Sequence, residues 1–173
     1  TKYRVILAYS VISSEPAGYY WKFSSIFPSM ELTSSAFQYG DYIPTLYTCD
    51  SMGISPPLSI SEIPAGTVSL ALILDDPDAP SGDWVHWLVW NINPGTTAIP
   101  QDSVPAGAIQ GKTSSGAQSY GPPCPPSGTH RYFFKLYALD TSISLPASSG
   151  KTQLVSAMQG HIITSAELMG LYQ

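Results

Sequence analysis

Two short segments of the chain combine histidines with carboxylates and prolines. The first is DDPDAP at positions 75–80 followed by WVHW at 84–87, and the second is YGPPCPPSGTHRY at 120–132. Histidine can donate an N–H to an anion, and a neighbouring carboxylate favours its charged form. Prolines keep a loop extended because they fix φ and lack a backbone donor. Together the segments predict one small anion-binding pocket.

Each of these residues also has a purely structural interpretation. Asp-Pro-Asp is usually a turn, a histidine beside tryptophans is often a satisfied core residue, and a proline-rich segment can simply be a rigid loop. Strand alternation favours a site, because it places polar groups where apolar rows end. The predicted rows are Leu70, Leu72 and Leu74 before Asp76; Trp84, Leu88 and Trp90 with His86; and Phe134 and Leu136 with His130 and Tyr132.

The elements that would position these groups are mainly strands. Short apolar, β-branched and aromatic runs lie between 16 prolines and 14 glycines, which indicates an all-β domain. The clearest strands are Val68–Leu74, Val85–Ile92 and Arg131–Leu139, and weaker candidates are Val5–Ser13, Met30–Thr33, Leu46–Thr48 and Leu58–Ile60. The spacing predicts one helix over Lys151–Met158, stopped by Gly160, whereas His161–Leu171 fits a helix or a final strand.

Composition excludes several classes of function. The chain has 173 residues, 43% hydrophobic and 11% charged, with a net charge of −5, so it lacks the basic face that a nucleic-acid binder needs. Its two cysteines, Cys49 and Cys124, do not have zinc-site spacing. Whether they form a disulfide stays open. GAIQGKT at 107–113 is one residue short of a phosphate-binding loop, and the sequence predicts no cofactor.

The two segments resemble the signature regions of the phosphatidylethanolamine-binding proteins, also called Raf-kinase-inhibitor-like proteins. The similarity is to the bacterial and archaeal branch and runs over 27–173. Residues 1–26 fall outside it, and we expect them to form an N-terminal arm or strand, although 5–13 also has the apolar character of a signal-peptide core. The resemblance implies a Greek-key fold in which a large antiparallel sheet packs on a smaller one, with a few short helices.

The resemblance also implies a surface pocket that takes phosphoryl groups or similar small anions. Matched motif to motif, its residues are Asp76, Asp78, Pro80, His86, Tyr120, Gly121, Pro125, Pro126, His130 and Tyr132. Cys124 is a departure, since some members have glycine there. Arg131 points away from His130 along the strand, and we expect it to pair with Asp78.

Three classes of function follow from these observations. The first is a non-enzymatic module that binds a phospholipid headgroup, nucleotide or phosphorylated side chain and regulates or inhibits another protein. The family also contains protease and kinase inhibitors, so inhibition of a serine protease is the second. A metal-dependent enzyme is the third, because two histidines and a carboxylate can hold a metal. The resemblance makes a homodimer plausible. Low charge favours an extracellular or cell-surface setting, whereas this branch is commonly cytoplasmic.

Overall fold

A computed structural model gives the fold and describes residues 29–173. The predicted arm over 1–26 and the strand Val5–Ser13 lie outside the described residues. The elements, in chain order, are β1 (Glu31–Thr33), a 3-10 helix (Thr45–Tyr47), β2 (Leu58–Ser61), β3 (Ser69–Asp76), β4 (Trp84–Ile92), β5 (Ala98–Ile99), β6 (Ile109–Gln110), β7 (His130–Leu139), α1 (Lys151–Met158) and β8 (Ile162–Tyr172). None of the helices in this part of the chain is long and apolar enough to span a bilayer.

The strands form two antiparallel sheets, as expected. The smaller sheet has the order β1-β2-β5 and the larger one β6-β4-β3-β7-β8. Within the larger sheet, β3, β4 and β6 are successive neighbours and β7 returns to lie beside β3, which is a Greek-key arrangement. The predicted mainly-β fold is confirmed, with one α-helix and one 3-10 helix in 29–173.

Strand β3 is buried along its whole length because both of its faces are covered. One face, with Leu70, Leu72 and Leu74, belongs to the core between the two sheets. The other, with Ala71 and Ile73, packs in a second apolar cluster that includes the buried side of α1. The polar end of β3 is therefore held firmly from both sides, and the site lies at that end.

One predicted strand is wrong, two short strands were not predicted, and the last segment is now assigned. The predicted strand Leu46–Thr48 is wrong: these residues lie in the turn of the 3-10 helix, where the Tyr47 amide donates to the Pro44 carbonyl at 3.0 Å. Strands β5 and β6 have two residues each, too few for an alternating pattern to show. The segment His161–Leu171, left open between helix and strand, is mostly β8, paired along β7.

Candidate functional site

A cavity of about 570 Å³ lies where the end of β3 and the starts of β4 and β7 meet the loops at 77–83 and 111–129. The strands supply its titratable groups, and these two loops close its sides. The lining residues are Asp76, Ala79, Pro80, Ser81, Trp84, Val85, His86, Thr113, Ser115, Gly121, Pro122, Cys124, Pro125, Pro126, His130 and Tyr132. The two sequence segments thus contribute to one pocket.

Asp76 and His130 form a buried pair in this cavity. Asp76 Oδ2 accepts a hydrogen bond from His130 Nδ1 at 2.7 Å, and both side chains are less than a tenth exposed. Asp76 Oδ1 accepts from the Asp78 amide at 2.8 Å. Because each carboxylate oxygen already has a donor, Asp76 can balance charge on the His130 ring without leaving an unpaired buried anion.

A β-bulge brings His86 to the same face. Leu74 pairs with Trp87, but Asp75 pairs with Val85, so His86 is an extra residue on β4. Strict alternation put His86 on the face of Leu88 and Trp90, and this prediction is wrong. Those two residues pack in the second cluster, on the far face of the sheet. The bulge changes the phase of β4 and directs His86 towards Asp76 and Tyr132.

Gly121 holds the His86 ring in one tautomer. Its amide donates to the His86 carbonyl at 2.8 Å, and its carbonyl lies 2.9 Å from His86 Nδ1. A carbonyl oxygen only accepts, so Nδ1 carries the proton. A Cβ at position 121 would lie 3.3 Å from the His86 carbonyl oxygen, and glycine permits this close approach. Burial lowers the pKa of His86, against the opposing effects of the Gly121 carbonyl and the Asp76 carboxylate.

Tyr132 completes the polar wall of the cavity. Its ring stands edge-on to His86, with ring centroids 5.3 Å apart, and its hydroxyl has no hydrogen-bond partner among residues 29–173. Burial raises the pKa of Tyr132, and the Asp76 carboxylate adds to this. The nearby Cys124 backbone opposes this rise in the pKa of Tyr132, but it does not form a hydrogen bond with the hydroxyl. A buried hydroxyl without a partner is unusual, and it leaves a donor for a bound group.

The loop after β3 is fastened by Asp78, outside the cavity. Arg131 donates to Asp78 through Nε at 2.8 Å and Nη2 at 2.7 Å, and its backbone amide donates at 3.0 Å. The expected Asp78–Arg131 pairing is therefore present, although both side chains are partly exposed. The hydrogen bonds from Arg131 lower the pKa of Asp78 to about 2, so the carboxylate stays charged.

A disulfide fastens the proline-rich loop. Cys49 and Cys124 are bonded, with their Cα atoms 5.4 Å apart, which answers the question that the sequence left open. Beside this bond, the Cys49 amide donates to the Pro123 carbonyl at 3.0 Å. The disulfide holds Cys124, a lining residue, against the segment that follows the 3-10 helix.

The predicted residues Asp78 and Tyr120 do not line the cavity. Asp78 fixes the loop as described, and Tyr120 donates its hydroxyl to the Tyr47 carbonyl at 2.8 Å. The eight other predicted residues all line it. Thr113 and Ser115, which reach the cavity from the loop after β6, were not among the predicted residues. Thr113 is the last residue of GAIQGKT, and Ser115 lies just beyond that segment. Within 29–173 no three His, Cys, Asp or Glu side chains are grouped so that they could hold a metal ion.

A second charged cluster occupies the opposite face of β3. Asp75 is fully buried and accepts from Lys135 at 2.8 Å and from Lys151 at 2.5 Å. Lys151 also pairs with Asp83, in the loop that leads into β4. The two adjacent carboxylates of β3 therefore lie on opposite faces of the strand. Asp76 faces the cavity, and Asp75 anchors the start of α1.

Comparisons with known proteins match most of the described residues. A family model described as phosphatidylethanolamine-binding protein matches residues 33–173. A UPF0098 protein of Methanothermobacter thermautotrophicus is 48% identical over 149 residues, which cover 83% of this chain and 99% of the relative. A UPF0098 protein of Chlamydia muridarum is 48% identical over 151 residues, with the same two coverages.

Two solved structures share the fold. One is a Chlamydia trachomatis protein described as a proposed phosphatidylethanolamine-binding protein homologue, with a TM-score of 0.81, 47% identity, and coverage of 84% of this chain and 97% of that one. The other is Escherichia coli YbcL, described as a member of the mammalian family, with a TM-score of 0.79, 31% identity, and coverage of 84% and 99%. On the family match, these identities and the shared fold, the chain belongs to the phosphatidylethanolamine-binding protein family.

Proposed function

We propose that the protein is a non-enzymatic binding module whose cavity holds a phosphoryl group. The observation that carries this proposal is the buried Tyr132 hydroxyl without a protein partner, in the same wall as two histidines anchored through Nδ1. An anion that reaches this wall would accept a hydrogen bond from this hydroxyl. His130, backed by Asp76, would supply a charge-assisted hydrogen bond from Nε2.

The size and lining of the cavity favour an anion that carries an organic group. A volume of about 570 Å³ exceeds what a free phosphate needs and lies within the usual range for small-molecule sites. Pro80, Pro125, Pro126 and Trp84 form an apolar part of the wall. A phospholipid headgroup, a nucleotide or a phosphorylated side chain fits this chemistry. In the last case, binding would regulate the protein that carries the phosphate.

The affinity for the phosphoryl group alone should be modest. Charged hydrogen bonds contribute about 1.5–3 kcal/mol each, and association has its own entropic cost. Three contacts therefore support dissociation constants in the range of about micromolar to millimolar. Contacts of the organic group with the proline-rich wall would add to this.

Titration calorimetry with phosphate and O-phosphorylethanolamine tests the proposal. Saturable binding should persist in the presence of a chelator and fall at least about tenfold in His130→Ala, which corresponds to about 1.4 kcal/mol. His161→Ala is the matched control, because His161 makes the same Nδ1 contact with a carboxylate, Asp140, at 2.8 Å on an exposed surface. It should bind as the wild type does. Binding that requires added metal, or no anion binding at all, would contradict the proposal.

A further inference from the structure

The two cavity histidines differ in what they can offer to a ligand. Both rings are anchored through Nδ1, His86 to the Gly121 carbonyl at 2.9 Å and His130 to the Asp76 carboxylate at 2.7 Å. Neither Nε2 atom has a hydrogen-bond partner within 29–173, and neither is a fully buried polar atom. The two Nε2 atoms are therefore the ring positions left for a ligand.

The anchoring partner decides what each Nε2 does. Because the Gly121 carbonyl fixes the proton of His86 on Nδ1, Nε2 of the neutral ring has a lone pair and accepts hydrogen bonds. His130 Nδ1 lies 2.7 Å from the Asp76 carboxylate, so when the ring is protonated its charge is balanced there and Nε2 donates as well. The cavity thus combines an acceptor at His86 with donors at His130 and Tyr132.

A fully ionised anion does not match this set. Sulfate or the dianion of a phosphomonoester has only acceptor oxygens, so one of them would face the lone pair of His86. A phosphomonoester that retains one proton has both kinds of group, a P–OH that donates and P–O⁻ oxygens that accept. A phosphodiester is an anion without a P–OH and cannot make the contact with His86.

From this geometry we infer that the site selects phosphomonoesters in their singly protonated form, with the P–OH donated to His86 Nε2 and the charged oxygens bound by His130 and Tyr132. This inference rests on the proposed function and specifies its ligand. Only a proton changes position, and the ligand brings it from solution.

The charged groups around His86 do not alter the assignment. Asp76 and Asp75 on β3 favour a charged His86 ring, whereas His130 on β7 opposes it. Tyr132 presents its aromatic ring to His86. Burial acts against the charged form and is the largest of these effects. The largest effect on His86 therefore favours the neutral ring that accepts a hydrogen bond at Nε2.

Proton uptake on binding tests the inference directly. The second ionisation of a phosphomonoester lies near pH 6, so at pH 7.5 nearly all free methyl phosphate is dianion, and selection of the protonated form should take up about one proton. Calorimetry in buffers of different ionisation enthalpy should show about one proton more for methyl phosphate than for sulfate. Between pH 7 and 8, the affinity for total methyl phosphate should fall about tenfold more than the affinity for sulfate.

Two variants and one spectroscopic measurement make the test specific. His86→Asn can keep a donor near the position of Nδ1 for the Gly121 carbonyl but lacks Nε2, and it should abolish the difference between methyl phosphate and sulfate. The wild type should bind dimethyl phosphate more weakly than methyl phosphate, because the diester has no P–OH for His86. His86→Asn should lose this preference, and His86→Gln, whose amide reaches the position of Nε2, should regain part of it. In the wild type, the ³¹P shift of bound methyl phosphate at pH 7.5 should match the monoanion.

The outcomes separate this inference from the proposed function. Equal proton uptake for methyl phosphate and sulfate, with a dianion ³¹P shift, would overturn the inference and leave an anion site in place. Extra uptake with sulfate that disappears in His86→Asn would also overturn it, because His86 would then bind as imidazolium. Failure of methyl phosphate, dimethyl phosphate and sulfate to bind at any pH would remove the proposed function itself.

Discussion

Asp76→Asn tests how the buried carboxylate affects anion binding. The side chain accepts two hydrogen bonds, from the Asp78 amide at 2.8 Å and from His130 Nδ1 at 2.7 Å. In the variant, the amide oxygen can keep the bond from Asp78 while its NH₂ donates to His130 Nδ1. The His130 ring is then neutral but still donates from Nε2. The substitution therefore removes charge and keeps the hydrogen bond to the anion.

Two electrostatic effects of this change oppose each other. With an effective dielectric constant of about 20, an imidazolium about 4 Å from the anion contributes about 4 kcal/mol of attraction. The Asp76 carboxylate lies behind the ring, about 7.5 Å from the anion, and repels it by about 2 kcal/mol. Since both charges are lost together, the net loss is about 2 kcal/mol, or about 30-fold in affinity.

Sulfate binding at pH 6 is the appropriate assay, because sulfate does not change its protonation there. We expect about 30-fold weaker binding by Asp76→Asn and an unchanged far-ultraviolet circular dichroism spectrum. Asp140→Asn is the matched control, since it alters the exposed His161–Asp140 pair of nearly the same length. Sulfate affinity in Asp76→Asn equal to or above that of the wild type would refute the reasoning, because repulsion by the carboxylate would then dominate.

Three further perturbations probe the framework of the site. Burial lowers the pKa of His86, so its contribution to stability is complete above the unfolded pKa of about 6.5 and is lost as the pH falls below that value. Urea unfolding of the wild type should therefore show a free energy of unfolding that decreases between pH 8 and pH 5. An equal decrease in His86→Asn would contradict this. The disulfide closes a 75-residue separation, so replacing Cys49 and Cys124 by serine should lower the free energy of unfolding by about 4 kcal/mol in the loop-entropy model, and a loss below about 1 kcal/mol would show that this model does not apply. Asp75→Asn leaves two partly buried lysines without their shared carboxylate and should cost about 3–5 kcal/mol, measured by the same unfolding and compared with Asp140→Asn, which should cost little.

The sequence was sufficient wherever a strand follows simple alternation. In β3 and β7 the residues of the inter-sheet core alternate without interruption, so Asp76, His130 and Tyr132 could be placed on one face from the sequence alone. The same alternation put Arg131 on the opposite face, where it meets Asp78. Period-two geometry depends only on the local backbone, which is why these predictions succeeded.

The position of His86 depends on a feature that alternation cannot represent. A bulge adds one residue to β4, and it is identified by pairing with β3, not by a pattern within WVHWLVW. Without the bulge, His86 would face α1, and the cavity would lose its acceptor. The same holds for Thr113 and Ser115, which reach the cavity because the loop after β6 folds back, with the Ser114 amide donating to the Val85 carbonyl at 3.0 Å. Asp76, His130 and Tyr132 were therefore predictable from their own strands. The positions of His86, Thr113 and Ser115 depend instead on contacts between strands and loops that are far apart in the chain.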